Sequence, residues 1–381
     1  MISTDVRWAW AEIDLDAIAH NVGVLRRVSD PAAVWAVVKA NAYGHGAFDV
    51  ARTAIEAGAE GLCVALVQEG IELRRAGIDA PILILSEQPP EEAAHIIEYR
   101  LTPTVYRRAF LDALVAEDPV GLPVHLKIDT GMQRVGVHPH SAAAVATAIE
   151  QRAPALRLAG VFTHLAMADD DSADAVEITD QQLETFARTL ADLPPTPQLH
   201  AANSAGALSR ADARLSMVRA GIAMYGISPG PGVDHLCGEL RPALELRARV
   251  SMVKQVRANS RISYGLKHRF DRDTIVATVP IGYADGVPRR LHAVGGEVLI
   301  GGRRCPIVGG VTMDQLMVDC GDADVRVGDD VTLSGELDGP DGEPVSVRAE
   351  DWAAALDTIG YEIVCGISAR VPRVLRRSID H

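Results

Sequence analysis

From about residue 34 to 226, short apolar runs alternate with segments whose apolar residues recur every three or four positions. The runs are "VWAVV", "GLCVAL", "PILILS", "LTPTVY", "VHLKID", "LAGVFTHL", "PQLHAA" and "SMVRAGI". Too short for helices and rich in β-branched residues, they suit strands buried on both faces. Between them, "FDVARTAIEAGAE", "QEGIELRRAG", "PEEAAHIIEY", "SAAAVATAIEQ" and "TDQQLETFARTLADL" carry the period of amphipathic helices. Eight strands with helices between them predict an α/β fold, a (β/α)8 barrel. An open doubly wound sheet would alternate in the same way, but the chain lacks the G-x-G-x-x-G turn that would support it.

The pattern changes at "GISPGPGVDHLCGEL", where Pro229 to Gly232 form a breaker cluster. Beyond it, "LELRARVSMVKQV", "TIVATVPIGYA", "GEVLIGGRRCPIVGG", "QLMVDCG" and "DDVTLSG" are β-like runs separated by turn residues. The expected division is a barrel over 1–238 and a mainly β domain over 239–381. One helix, "SVRAEDWAAALDTIG", is expected inside the second domain, with Ser346 and the acids as its start signal.

Composition narrows the partners. The 381 residues exceed what one core usually serves. With 51 acidic against 37 basic residues the net charge is −14, which argues against nucleic acid or an anionic membrane as a partner. Any bound anion must be held by local arginines and backbone amides. The start "MISTDVRWAW" has no signal-peptide pattern, no apolar run is long enough to span a membrane, and the five cysteines form no C-x-x-C pair. A cytoplasmic protein with reduced thiols is expected.

The C-terminal ends of barrel strands form the functional face. Lys39 follows the first strand, with Asn41 and Tyr43. The fifth ends in "HLKIDTGMQRVG", with Lys127, Asp129 and Arg134, and the sixth ends at His164. The seventh ends in "LHAANSAGALSR", with His200, Asn203 and Ser204. The last ends at Arg219 in "MVRAGIAMYG", with Gly221, Ile222 and Tyr225. Each has an ordinary explanation alone: a lysine extending to solvent, an arginine in a salt bridge, a serine capping a helix. Five strand ends bringing four cations and two histidines to one face favour a site. Ser204, as N-cap of a short helix, and Gly221, which lets backbone approach closely, suggest a phosphate after strands seven and eight. A lysine opposite that anchor suggests pyridoxal phosphate held as a Schiff base. The acidic run Asp169 to Asp174 lacks the spacing of a calcium loop and is expected to be a solvated loop; no metal is expected.

"AVVKANAYGHG" resembles the cofactor-lysine motif of the alanine racemases, barrel-type pyridoxal phosphate enzymes. "LKIDTGMQRVG", "THLAMAD", "HAANSAGAL", "VRAGIAMYG", "ISYGLKHRF", "PIGYADGVPRRL", "TMDQLMVD" and "IGYEIVCGISARVPR" resemble further motifs of that family, in the family's order and over nearly the whole chain.

The resemblance implies interconversion of L- and D-alanine through a cofactor–substrate aldimine, with Lys39 and Tyr264 as bases on opposite faces and D-alanine supplied for peptidoglycan. Serine or another small amino acid is the alternative substrate. The resemblance places His164, Arg219 and His200 in a chain leading from Tyr264, with Arg219 against the pyridine nitrogen. There a permanent cation disfavours ring protonation and hence transamination. It puts Tyr43, Asn203, Ser204, Gly221, Ile222 and Tyr225 around the cofactor and its phosphate. Arg134 would bind the substrate carboxylate, oriented by Lys127 if that lysine is carbamylated; an unmodified Lys127 paired with Asp129 stays open. The Met313 amide, beside Asp314, would bind the same carboxylate, and Tyr283 and Tyr361 would narrow the entrance. Thr312 departs from the family's usual Cys or Ser, which bears only on local packing. The family's head-to-tail homodimer implies sites shared between subunits. A cofactor carrier would lack the β domain, and a decarboxylase of this fold would place an acid where Arg219 stands.

Overall fold

The computed structural model describes residues 7–377. The chain forms two compact units, residues 17–241 and a second built from 242 onward together with the segment up to Asp16. The sequence places that opening segment with the barrel; it pairs instead with strands of the second unit.

Strand β1 (Ala9–Asp14) belongs to that second unit, and the next eight make the first. They are β2 (Ala33–Val37), β3 (Gly61–Val64), β4 (Ile82–Ile84), β5 (Thr104–Val105), β6 (Leu122–Lys127), β7 (Leu156–Phe162), β8 (Gln198–His200) and β9 (Met217–Ala220). All pair in parallel, as β4-β3-β2-β9 and β5-β6-β7-β8. Two seams close the circle. Ile84 N–H donates to Thr102 O at 2.9 Å between β4 and β5, and Arg219 N–H donates to Ala202 O at 3.1 Å between β8 and β9. Each of the eight runs read from the sequence holds one strand. Their side chains are almost all buried, as in Ala36, Val37, Leu62, Ile82 and Val161. Each large apolar side chain taken fully out of water adds about 2 kcal/mol.

The helices follow the predicted faces with shifted ends. The segment read from Thr179 starts earlier, spanning Ala173–Leu190, with the Ser172 hydroxyl accepting from Ala175 N–H at 3.4 Å. The acidic run is exposed from Asp170 to Asp174, as expected of a solvated loop, but it runs into a helix. Its last acid lies in this helix's first turn, and Asp169–Asp171 pack so closely on Gly230 and Gly232 that a Cβ at either would collide with them.

In the second unit, β10 (Leu244–Arg249), β11 (Met252–Val256), β14 (Thr274–Val279), β15 (Glu297–Ile300), β16 (Arg303–Val308), β17 (Leu316–Gly321), β18 (Asp330–Asp338) and β20 (Arg373–Arg376) join β1 in the order β11-β14-β17-β16-β15-β18-β10-β1-β20, with β19 (Pro344–Val347) on β18. A separate hairpin pairs β12 (Arg261–Ile262) with β13 (His268–Arg269). The expected helix is there, at Ala349–Leu356. Ser346 is not its cap, because it lies inside β19, where it pairs with Glu336. A further helix, Gly360–Gly366, was not expected. Its seven residues, two of them glycine, are too few to show a helical period.

Candidate active site

The strand β2 ends at Val37, and after Val38 comes Lys39, at the start of a turn that winds the wrong way. Ala40, Asn41, Ala42 and Tyr43 all hold φ between 51° and 54°, and Gly44 follows at 84°. For L-residues this left-handed turn costs roughly 1–2 kcal/mol each, so surrounding bonds must hold it. Gly44 N–H donates to Ala40 O at 3.0 Å, and Ala47 N–H donates to the Asn41 side chain at 2.9 Å. Asn41 and Gly44 of the "NAYGHG" stretch supply these bonds. The turn explains why a buried strand leads into a half-buried lysine.

Arg219, at the end of β9, is 3% exposed and faces neutral partners. Its Nη1 donates to His200 Nδ1 at 2.7 Å, and its Nη2 donates to the carbonyls of Thr163 and Ala201, both at 2.9 Å. His164 Nδ1 lies 3.3 Å from the same Nη2. Guanidinium only donates, so His200 Nδ1 accepts from Nη1 and that ring is neutral with its proton on Nε2, whereas the two hydrogens of Nη2 already serve the two carbonyls and His164 makes only the longer contact. His200 then donates from Nε2 to His125 Nδ1 at 3.0 Å. Burial first, then the Arg219 charge, pushes His164 and His200 well below the ordinary histidine range. His125 falls to about 4, chiefly through burial. Burial also lowers Arg219 to about 10, which leaves it a cation at neutral pH. None of the described hydrogen bonds uses its Nε–H.

Lys127, at the end of β6, is 5% exposed, with its Nζ over the Phe162 ring, 5.3 Å from the centroid. The pairing with Asp129 left open by the sequence is absent among the described ion pairs. Asp129 instead spends its carboxylate on the backbone N–H groups of Gly131, Gln133 and Arg134, each at 3.0 Å, and so shapes the loop that carries Arg134. Burial, then the charges of Arg219 and Arg134, lowers Lys127 to about 7.

Ser204 is not the helix cap. Asn203 is, its side-chain oxygen accepting from Gly206 N–H at 3.0 Å. Asparagine and serine are nearly equal as caps, so the sequence could not choose between them. Ser204 is thereby released to the next loop, where its hydroxyl accepts from Gly221 N–H at 2.8 Å and Ala223 N–H at 3.3 Å. A Cβ at Gly221 would lie 2.9 Å from the Tyr43 hydroxyl oxygen. Two hydroxyls and a glycine-opened stretch of backbone thus converge, a donor set suited to a phosphate monoester. Ile222 is fully buried beside them, and the Tyr225 hydroxyl donates to Val37 O at 2.8 Å, tying this loop to β2.

In the second unit, Tyr264 sits at the tip of the β12–β13 hairpin, 81% exposed. Gly309, at φ 66°, lets the hairpin approach, since a Cβ there would lie 2.6 Å from Ser263 Cβ. The Ser263 hydroxyl donates to Gly310 O at 2.8 Å. Tyr283 and Met313 come together through backbone: Tyr283 N–H donates to Thr312 O at 2.9 Å and Ala284 N–H to Met313 O at 3.0 Å. Thr312 closes its own turn, donating to Gln315 O at 2.8 Å. Asp314 pairs with Arg370 at 2.7 Å, and Arg370 also reaches the fully buried Asp285. Tyr361 is half-buried in the helix Gly360–Gly366.

His125 and Asp285 were not singled out from the sequence. His125 had a signal, because it stands two residues before Lys127 in a strand whose other positions are apolar, and so shares its face. Asp285 lies between turn glycines and had none.

Two family models match the chain: "Alanine racemase, N-terminal domain" over residues 13–229 and "Alanine racemase, C-terminal domain" over residues 243–375. The alanine racemase of Symbiobacterium thermophilum is 45% identical over 376 residues, covering 97% of each chain. That of Geobacillus stearothermophilus is 43% identical, covering 97% of this chain and 94% of its own. Among solved structures, the Bacillus anthracis alanine racemase with bound L-Ala-P has a TM-score of 0.88 at 40% identity, covering 97% of this chain and 95% of that one. The E. faecalis enzyme has a TM-score of 0.90 at 38% identity, covering 99% and 100%.

Proposed function

The chain belongs to the alanine racemase family, and on that premise we propose that it uses pyridoxal phosphate to interconvert L- and D-alanine, with Lys39 and Tyr264 as the two bases. The observation that carries the cofactor assignment is Arg219: a buried cation whose nearest side chains are neutral acceptors and whose Nε–H is left over for a ring nitrogen. The Gly221 cradle supplies the second half of the fit, since only a residue without Cβ leaves room beside the Tyr43 hydroxyl. When bound, the cofactor supplies the electron sink that makes the substrate's α-proton removable.

The protein's own residues do the rest. Lys39 carries the cofactor and then holds or returns a proton at its Nζ. Tyr264 does the same at its phenolic oxygen on the other face. Arg219 donates to the ring nitrogen; it cannot surrender its proton there at neutral pH, so it keeps the sink weak and favours return of the proton to Cα over loss of the amino group. Tyr43, Ser204, Gly221 and Ile222 hold the phosphate, with Asn203 and Tyr225 bracing that loop. Arg134 binds the substrate carboxylate together with the Met313 amide, and Tyr283 and Tyr361 limit side-chain size. A neutral Lys127 amine can add CO2 through a new N–C bond and release one proton to solvent, and the resulting carbamate's negative charge would orient Arg134. The enzyme would act in the cytosol as a homodimer, supplying D-alanine for peptidoglycan. Among the described residues no helix is long and apolar enough to cross a membrane.

The test is racemisation by the purified, cofactor-loaded protein across alanine, serine and larger amino acids. Alanine should be turned over fastest. Faster turnover of serine would overturn the substrate assignment.

A further inference from the structure

We propose that Glu69 is a positioning residue for Lys39, its carboxylate clamping the left-handed turn behind the lysine to the loop after β3; the role rests on Lys39 being the cofactor lysine. Glu69 is the third residue of the helix Val67–Arg75. A glutamate there ordinarily serves its own helix, reaching back to the N–H groups at the start. One oxygen suffices: Oε2 accepts from Ala65 N–H at 2.8 Å and Leu66 N–H at 3.1 Å. The other oxygen leaves the helix altogether. Oε1 accepts from Ala40 N–H at 2.6 Å, and Ala40 is the residue directly after Lys39 and the first of the left-handed run.

That N–H is where the turn needs help. Val38, the residue before the turn, offers no side-chain cap, and the first amides of a helical turn have no partner inside it. A bond from N–H to a carboxylate is about twice as strong as one to a neutral oxygen. The far end of the clamp is itself held, because Gln88 Nε2 donates to Ala65 O at 3.1 Å and to Ser86 O at 2.9 Å. Four residues in a disfavoured conformation would relax toward right-handed geometry if released, and that rotation starts at the peptide bond joining Lys39 to Ala40. Lys39 would keep its chemistry and lose its aim.

Glu69→Asp separates the two roles. An aspartate can still cap its own helix but is one methylene too short to reach Ala40. Glu69→Gln is the second variant; both sides of the site present only N–H donors, so the amide must face one of them with its own N–H. In the full chain, hydrogen exchange at Ala40 should speed up by about tenfold in Glu69→Asp, while Ala65, Leu66 and the melting temperature stay near wild type. Capture of added pyridoxal phosphate by the apoprotein, followed by borohydride trapping at Lys39, should slow by about tenfold, with kcat reduced and KM for alanine unchanged. Unchanged Ala40 exchange overturns the clamp. Faster exchange with unchanged capture and kcat makes Glu69 a structural tie only, and also overturns the proposal. Trapping at another lysine in the wild type overturns the cofactor assignment, and this role with it, whatever the exchange data show.

Discussion

At the scale of single residues, the end of the barrel sets a buried cation, Arg219, among neutral histidines. Burial first, with the Arg219 charge beside it, keeps the three histidines neutral, and the chain from Arg219 through His200 to His125 has a direction because guanidinium cannot accept. Replacing Arg219 with glutamate should slow racemisation and raise the share of pyruvate and aminated cofactor among the products. An unchanged product ratio in a slower enzyme would count against the ring-nitrogen role. Lys127 gives a prediction with a sign. Its amine, brought down to about 7, is mostly charged below that pH and cannot attack CO2; above it the neutral form dominates. Incorporation of labelled bicarbonate at Lys127 should therefore rise through pH 7 and be absent in Lys127→Ala. That variant should lose roughly tenfold in kcat/KM, about 1.4 kcal/mol of transition-state binding, through a poorly oriented Arg134. No labelling at pH 8 would leave Lys127 an unmodified buried amine.

At the scale of elements, two glycines set how closely neighbouring loops approach. Gly221→Ala would push a methyl against the Tyr43 hydroxyl, so the protein should fold normally and release its cofactor on dialysis faster than wild type. Equal retention would mean that the loop yields and the cradle is not there. Gly309→Ala combines a positive φ with a clash at Ser263 and should displace the Tyr264 tip. The strain, about 1–2 kcal/mol, should lower the melting temperature by a few degrees. Its catalytic signature should copy Tyr264→Ala: racemisation lost, yet D-alanine still exchanging its α-proton in deuterated water with retention, as the proposed role of Lys39 on that face requires. Equal loss of exchange for both enantiomers would make the tyrosine structural rather than a base.

At the scale of the whole molecule, the proposed bases belong to different units, Lys39 to the barrel and Tyr264 to an exposed hairpin of the β unit. If Tyr264 serves a partner's Lys39 across a twofold axis, two inactive variants can repair each other. Lys39→Ala and Tyr264→Ala, allowed to exchange subunits in equal amounts, give half mixed dimers, each with one intact site. Activity should recover to roughly a quarter of wild type. If tagged subunits exchange and no activity returns, both residues serve a site within one chain.

Periodicity along the chain was enough for the eight barrel strands and for most of the helices around them, because burial on both faces leaves unbroken apolar runs of strand length. The order of motifs was enough for the family. Other features depend on residues far apart in sequence. Ser204 and Asn203 are equally good caps until Gly221 and Ala223 arrive to claim the serine hydroxyl. Lys127 reads as an ordinary ion-pair partner until Asp129 turns its carboxylate to the backbone and Phe162 covers the amine. Residues 9–14 lie before the first strand read from the sequence, and only pairing with β10 and β20 makes them a strand of the β unit. Asn41 and Gly44 give the left-handed turn at "KANAY" local support, but the carboxylate that takes its first amide belongs to Glu69, twenty-nine residues on, where no local reading would look. Propensity and period belong to neighbours along the chain, whereas ionisation, capping partner and strain are decided by whatever folding brings alongside.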